Sequence, residues 1–139
     1  MSTNGGKGVP NNLDKLIARA EEARERAYAI YSGFPVGCSI VLTDGSVVTG
    51  SSVEIASYGL TLCAERAAMA QIISTRDKAD RDVATVVIVG PAGRDCSPCG
   101  ACRQWLIEHA PDSKIYFPWQ GEYIQSTPDK LQPFGFELP

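Results

Sequence analysis

The most constraining feature of the sequence is an apolar run near its middle, VATVVIVG at residues 83–90. Its β-branched residues follow one another without polar alternation, which predicts a strand that is covered on both faces. Helical patterns precede and follow this run, at residues 63–74 and 99–110. A buried strand between two helices favours an α/β fold, with one sheet packed between helices.

The remaining segments predict the element order αββαβαββα. Apolar residues at helical spacing run from Leu13 to Tyr31, after Asn12 as an N-cap. The segments VGCSIVLT and SVVTGSSV flank Asp44 and Gly45, which predicts a two-stranded hairpin. SKIYFP and EYIQS predict two more strands, and a short helical turn is expected before the C-terminal LQPFGFELP.

The composition is that of a globular protein, with 139 residues, 44% of them hydrophobic and 21% charged. We expect residues 1–12 to form a flexible arm and residues 13–139 to form a single domain. The net charge of -3 and the lack of a basic face argue against nucleic-acid and membrane partners. No apolar run is long enough to span a bilayer and the first residues lack an apolar leader, so we expect a cytoplasmic protein.

The chain contains five cysteines, which in a reducing compartment favour metal ligands, nucleophiles or buried residues over disulfides. Cys63 stands at one predicted helix start, and Cys99 and Cys102 stand in the first turn of another. Helix N-termini stabilise thiolates through their unpaired N–H groups and the helix dipole. If the two helix starts face each other, the three sulfurs make a tetrahedral zinc site with one open position.

An open position on zinc is a catalytic arrangement, because bound zinc lowers the pKa of a water molecule from about 15.7 to roughly 7. Glu65, two residues after Cys63, can move protons beside that water without binding the metal. The pattern Cys-x-Glu followed by Pro-Cys-x-x-Cys is the signature of zinc deaminases.

A closed structural zinc site is the alternative, and it needs a fourth ligand. Cys96 is the better candidate, because His109 lies seven residues after Cys102, roughly 10 Å along a continuous helix. The spacing of Cys96, Cys99 and Cys102 also suggests an iron–sulfur ferredoxin, but Leu106 stands where a fourth cysteine is required.

At these residues the sequence resembles the small homotetrameric cytidine deaminases. The resemblance runs through YSGFPVGCSIVLTDG at residues 31–45, VEIASYGLTLCAERAA at 53–68 and SPCGACRQWL at 97–106. It implies a three-layer α-β-α sandwich around a mixed five-stranded sheet, and hydrolytic deamination of cytidine and deoxycytidine in pyrimidine salvage. It also implies a homotetramer with active sites at subunit interfaces, one Zn²⁺ per subunit on the three cysteines, and Glu65 as the acid and base.

The resemblance implies further roles for single residues. Arg66 matches an arginine expected to hydrogen-bond the ligand sulfurs and offset their negative charge. Phe34 matches the phenylalanine that stacks on the base, and the backbone of Ala64 matches a contact to that base. Tyr58 matches a tyrosine expected near the sugar, at a subunit boundary.

Two departures from the family pattern affect substrate recognition. Where the family has Asn-x-Glu-Asn as its ribose clamp, this chain has Ser52, Val53, Glu54 and Ile55. Glu54 can accept a hydrogen bond from a ribose hydroxyl, whereas Ser52 has a shorter reach than asparagine. Near the C-terminus, two alignments select either Phe136 or Phe134 as the residue that reaches a neighbouring site, and Phe136 is preferred.

Glu54 would repel a 5′ phosphate, so a free nucleoside is a better substrate than a nucleotide. One alternative is a deaminase of a modified cytosine nucleoside such as blasticidin S, which Ser52 and Ile55 favour and Glu54 disfavours. Another is a zinc-stabilised interaction module without activity, which the presence of Glu65 disfavours.

Overall fold

The computed structural model of the protein describes residues 12–139, so the predicted arm over residues 1–12 lies outside the described residues apart from Asn12. Asn12 holds the N-cap position as predicted, but its side chain makes no capping hydrogen bond. The helices are α1 (Leu13–Arg24), α2 (Ala64–Thr75), α3 (Gly100–His109) and α4 (Pro128–Leu131), and the strands are β1 (Gly37–Leu42), β2 (Val47–Ser51), β3 (Val83–Val89), β4 (Lys114–Trp119) and β5 (Glu122–Ser126). This order of elements is the predicted one, with added 3₁₀ turns at Tyr58–Leu60 and Lys78–Asp80.

The five strands form one mixed sheet in the order β2-β1-β3-β4-β5. β3 and β4 are parallel, and the other neighbouring pairs are antiparallel. Alternate residues of β3 face opposite helices: Val87 and Val89 pack with α1, whereas Val86 and Ile88 pack in the cluster that contains α2. The predicted three-layer α-β-α arrangement is therefore confirmed.

The first helix is shorter than predicted, because it ends at Arg24 and not at Tyr31. The backbone instead pairs with the segment after β2: the Tyr28 N–H donates to the Ser52 carbonyl and the Glu54 N–H donates to the Tyr28 carbonyl, both at 2.9 Å. These tertiary hydrogen bonds replace helical ones. Their effect is to bring the turn after Tyr28 beside Glu54.

Close packing of α2 against strand β2 determines the position of the N-terminus of α2. At Gly50 a side-chain carbon would lie 2.6 Å from the Ala68 nitrogen and closer still to the Ala64 carbonyl oxygen, so only glycine allows this approach. Within residues 12–139, every helix is too short or too polar to cross a membrane.

Candidate active site

Three cysteine sulfurs meet where α2 and α3 begin. Cys63 and Cys99 each hold the N-cap position of their helix, and their sulfurs are 3.5 Å apart. The Cys102 N–H donates to the Cys99 sulfur at 3.4 Å, and all three sulfurs lie within 4.8 Å of one another. The two helix N-termini therefore face each other, which meets the condition for a site with three sulfur ligands.

Arg66 supplies positive charge to this group. Its Nη2 donates to the Cys63 sulfur at 3.4 Å and to the Thr61 carbonyl at 3.3 Å. The pKa of Cys63 is lowered to about 5, first by the hydrogen bond with Cys102 and then by Arg66. The pKa of Cys102 is raised, because its thiol proton is held by the Cys63 sulfur and because it is buried. Cys102 and Arg66 therefore favour the thiolate form of Cys63, which is the form that binds zinc.

The donor set fits one Zn²⁺. Three sulfur ligands are typical of zinc, and their summed negative charge exceeds that of the ion, which a neighbouring cation offsets. Arg66 provides that cation, and its Nε is buried without a hydrogen-bond partner among residues 12–139, so it is available to a ligand sulfur. Neither Cys96 nor His109 belongs to the group of close metal-binding atoms found in the described part of the chain. The site therefore keeps an open fourth position, and the closed structural alternative lacks its ligand.

Glu65 is a buried carboxyl group beside the sulfurs. It is 4% exposed and lines the same cavity as Cys63 and Cys99. Burial is the main reason that the pKa of Glu65 is raised to about 7, and the Cys63 charge adds to it. A carboxyl group with such a pKa can both accept and donate a proton near neutral pH.

The cavity has a volume of about 290 Å³ and combines an apolar wall with a few polar groups. Phe34 and Val36 form part of the apolar wall, and Ser52 and Glu54 provide polar atoms. A pocket of this kind suits a small molecule with a flat ring and hydroxyl groups.

Comparisons with known proteins identify the family. Residues 10–118 match the family model of the cytidine and deoxycytidylate deaminase zinc-binding region. A cytidine deaminase from Halalkalibacterium halodurans is 44% identical over 123 residues, which cover 87% of this chain and 91% of the relative. The chain belongs to the cytidine deaminase family.

Two further comparisons concern a solved structure and a relative whose name gives a different substrate. The crystal structure of a cytidine deaminase from Burkholderia pseudomallei matches with a TM-score of 0.79 and 39% identity, covering 88% of this chain and 98% of that one. A blasticidin-S deaminase from Bacillus cereus is 27% identical over 126 residues, which cover 84% of this chain and 88% of the relative.

The residues that the cytidine deaminase resemblance assigned to substrate binding do not all line the same cavity. Phe34, Ser52 and Glu54 line the cavity itself, whereas Tyr58 lines an adjoining cavity of about 420 Å³. Ala64 is fully buried at the first position of α2.

The two C-terminal phenylalanines stand apart from this cavity. Phe134 and Phe136 are 104% and 68% exposed, and neither lines the cavity of its own chain. A site role for either of them would therefore need a second copy of the chain, and the choice between them stays open.

Glu54 and Ser52 also support the backbone around the cavity. The Glu54 carboxylate accepts from the N–H groups of Tyr31 and Ser32, at 2.9 and 3.0 Å, and from the Ser32 hydroxyl. These hydrogen bonds, the Ser32 hydroxyl first, lower the pKa of Glu54. The Ser52 hydroxyl oxygen accepts from the Val36 N–H at 3.1 Å, which leaves its proton free to donate.

Among the cavity residues that sequence reasoning did not assign to the site, three carry hydroxyl groups: Ser32, Thr61 and Ser97. Each stands two residues from a predicted site residue: Ser32 precedes Phe34, Thr61 precedes Cys63 and Ser97 precedes Cys99. Small hydroxyl residues at these positions were a weak signal, because serine and threonine are common in surface turns.

Cys38 and Cys96 are neutral thiols outside the metal group. Cys38 is fully buried in β1, as predicted, and burial raises its pKa well above the usual range. Cys96 lies in the loop before α3, lines the cavity and has its pKa raised to about 12 by burial.

Proposed function

We propose that the protein catalyses the hydrolytic deamination of cytidine and deoxycytidine to uridine and deoxyuridine, with release of ammonia. One observation carries this proposal: a buried carboxyl group, Glu65, shares a cavity with two of the three zinc-binding sulfurs. A structural zinc site has no use for such a group. The relatives named as cytidine deaminases support the same reaction.

Zinc held by Cys63, Cys99 and Cys102 would supply a Lewis acid that makes a water molecule nucleophilic at neutral pH. Glu65 takes the proton of the attacking water on a carboxylate oxygen and passes it to the ring nitrogen N3. It then takes the remaining proton from the new hydroxyl group on C4 and transfers it to the amino group, so that the C4 carbonyl forms as the bond from C4 to nitrogen breaks and ammonia leaves. A pKa near 7 suits both directions of transfer, because the best catalytic pKa lies near the working pH.

The cavity walls would orient the nucleoside. Phe34 provides a ring for stacking on the base, the Ala64 backbone contacts the base, and Arg66 balances the sulfur charge. A carboxylate has about four acceptor sites, and the turn at residues 31–32 uses three of those on Glu54, so one is left for a sugar hydroxyl. The Ser52 hydroxyl can donate to the same sugar.

A free nucleoside fits this site better than a nucleotide. Glu54 lines both this cavity and the adjoining one that contains Tyr58, and its carboxylate would repel a phosphate group there. Ser52 and Ile55 leave the sugar end open to modified nucleosides such as blasticidin S, so this antibiotic is a second substrate to test.

We infer that the chain assembles as a homotetramer with active sites at subunit interfaces. A group of exposed apolar side chains supports this assembly. Within it, Tyr28 forms a β-bridge with Val53, and the centres of the Tyr31 and Tyr58 rings are 5.9 Å apart. Its members are 41% to 71% exposed, and they are Tyr28, Ile30, Tyr31, Val53, Ile55, Tyr58 and Leu60. Groups of exposed apolar side chains often mark protein interfaces.

This assembly would bring Tyr58, and Phe136 from a neighbouring chain, close to the sugar. Light scattering should then give four times the chain mass of 14.9 kDa, and a Leu60→Asp variant should be smaller. A monomer at micromolar concentration would contradict the assembly.

Residues 13–139 would act as a single domain, because strands of the one sheet come from Gly37 to Ser126. We place this domain in the cytoplasm and in pyrimidine salvage, since a reducing compartment keeps the three cysteines available to zinc.

The testing experiment is an ultraviolet assay of zinc-quantified protein with cytidine, deoxycytidine, cytosine, CMP and blasticidin S. We expect turnover of the two nucleosides and little with CMP. The Glu65→Gln variant should keep zinc and lose at least about 100-fold in turnover, because general acid–base catalysis contributes that much or more. Glu108→Gln, which changes an exposed carboxylate of α3, is the matched control. A zinc-loaded Glu65→Gln protein within tenfold of the Glu108→Gln control would refute the role of Glu65.

A further inference from the structure

Arg103 connects the loop before α3 with the C-terminal helix. Its Nε donates to the Pro98 carbonyl at 2.7 Å, and its Nη2 contacts the Ser97 hydroxyl at 3.4 Å. Its Nη1 donates to the Leu131 carbonyl, at the end of α4, at 2.9 Å. The planar guanidinium group therefore holds two separate segments of the chain at once.

The Pro98 carbonyl directly precedes a zinc ligand. The proline ring restricts φ of Pro98, so the orientation of the next peptide depends mainly on ψ. Because the Arg103 hydrogen bond holds the carbonyl of that peptide, it sets the direction in which the chain enters Cys99. Cys99 is the exposed member of the sulfur group, whereas Cys102 is buried and Cys63 is intermediate, so packing restrains Cys99 least.

The contact to Leu131 links this loop to the C-terminal segment. The next residue, Gln104, adds a second link, because its Nε2 donates to the Phe136 carbonyl at 2.7 Å. Two consecutive residues of α3 thus hold the C-terminal segment, and the first of them also holds the ligand loop.

We propose that Arg103 is a positioning residue for the zinc site, which fixes the Cys99 backbone against the C-terminal helix α4. This role of Arg103 goes beyond nucleoside deamination, because it concerns how tightly the protein binds zinc and does not depend on which substrate is used. Lysine cannot replace it fully, because a single ammonium group lacks the planar set of donors that reaches three acceptors.

The test compares zinc release from the full-length, zinc-loaded wild type with that from Arg103→Ala and Arg103→Lys. Release into an excess of a colorimetric chelator is followed under native conditions, and urea unfolding is measured on the same samples. Loss of a group that orients a metal ligand typically costs about 10- to 100-fold in metal affinity. We therefore expect release from Arg103→Ala at least about tenfold faster than from the wild type, with Arg103→Lys in between.

Arg81→Ala is the matched control. Arg81 also donates its Nε to a carbonyl, that of Arg76, at 2.8 Å. Arg76 lies just beyond the far end of α2, a 12-residue helix that is about 18 Å long. This variant loses a similar hydrogen bond away from the sulfurs, so we expect it to release zinc at the wild-type rate even if it unfolds at lower urea.

Two results would overturn the proposal: wild-type release from folded Arg103→Ala, or equal acceleration in Arg81→Ala. If Arg103→Ala does not fold, Arg103→Lys decides, since faster release supports the positioning role and an unchanged rate refutes it. Because zinc is measured directly, failure of this proposal is distinct from failure of the deaminase activity.

Discussion

Gly50→Ala tests whether close packing of α2 on the sheet places the active site. The added carbon would lie 2.6 Å from the Ala68 nitrogen and 3.0 Å from the Ala68 side chain, and closer still to the Ala64 carbonyl oxygen. The nitrogen and the carbonyl oxygen are backbone atoms of α2 and cannot rotate away. The helix must therefore move, and with it Glu65 in its first turn.

The size of the effect follows from two opposing contributions. Ordinary van der Waals contact begins at 3.4 Å, so α2 must shift by roughly an ångström. Overpacking of this kind destabilises by about 1–3 kcal/mol, whereas replacing glycine by alanine stabilises by about 0.4–1 kcal/mol through the unfolded chain. The net change is a loss of stability of up to about 2.6 kcal/mol, and a displacement of about 1 Å at a catalytic group can lower turnover about 100-fold.

Urea unfolding and the ultraviolet deaminase assay measure the two effects on the same protein. Gly100→Ala is the control, because it adds the same carbon at the start of the other ligand helix, where residues 12–139 place no atom within 4 Å apart from its chain neighbours and the backbone of its own helix. We expect Gly100→Ala to unfold at or above the wild-type urea midpoint. A Gly50→Ala variant with wild-type stability and turnover would show that the close approach does not place Glu65.

Three further predictions concern single side chains. Cys102→Ala should lose zinc on desalting, because it removes a ligand. Cys38→Ala changes another fully buried cysteine and should lower stability but keep zinc. Metal analysis of the desalted proteins measures the difference, and a zinc-loaded Cys102→Ala protein would contradict the ligand set. Ser52→Asn should lower the KM for cytidine if residue 52 binds the sugar, and an unchanged KM would mean that this residue does not contact the sugar. The Arg94 guanidinium lies 5.2 Å from the Phe34 ring centre, so Arg94→Met should raise KM. A cation–π contact at an exposed site is worth about 0.5–1 kcal/mol, which corresponds to roughly two- to fivefold, and an unchanged KM would show that the contact does not orient the ring.

Much of the fold could be predicted from local patterns. The β-branched run of β3 predicted a strand buried on both faces, and the cysteines marked the first turns of α2 and α3 to within one residue. These features depend on side chains close in sequence, where propensity, periodicity and helix-terminus chemistry act directly.

The end of α1 could not be predicted in this way. Ala27, Ile30 and Tyr31 continue a helical period, yet Tyr28 pairs with Ser52 and Glu54, and Ile30 is 64% exposed. The helical spacing of apolar residues indicates an apolar face, but it does not show whether that face is buried or exposed. Hydrogen bonds to a distant segment outweighed the local preference here.

By itself, the sequence determined the chemistry of the site: three sulfur ligands, one carboxyl group and a cation, at spacings that place each of them at a helix start. Tertiary structure decided what those groups experience. Burial raises the pKa of Glu65 to about 7. The turn at residues 31–32 uses most of the hydrogen-bond acceptor sites of the Glu54 carboxylate. Arg103 joins the ligand loop to Leu131, a helix residue 28 positions further along the chain. Ligand type is a property of single residues, whereas burial, pKa and hydrogen-bond partners depend on which distant segments the fold brings together.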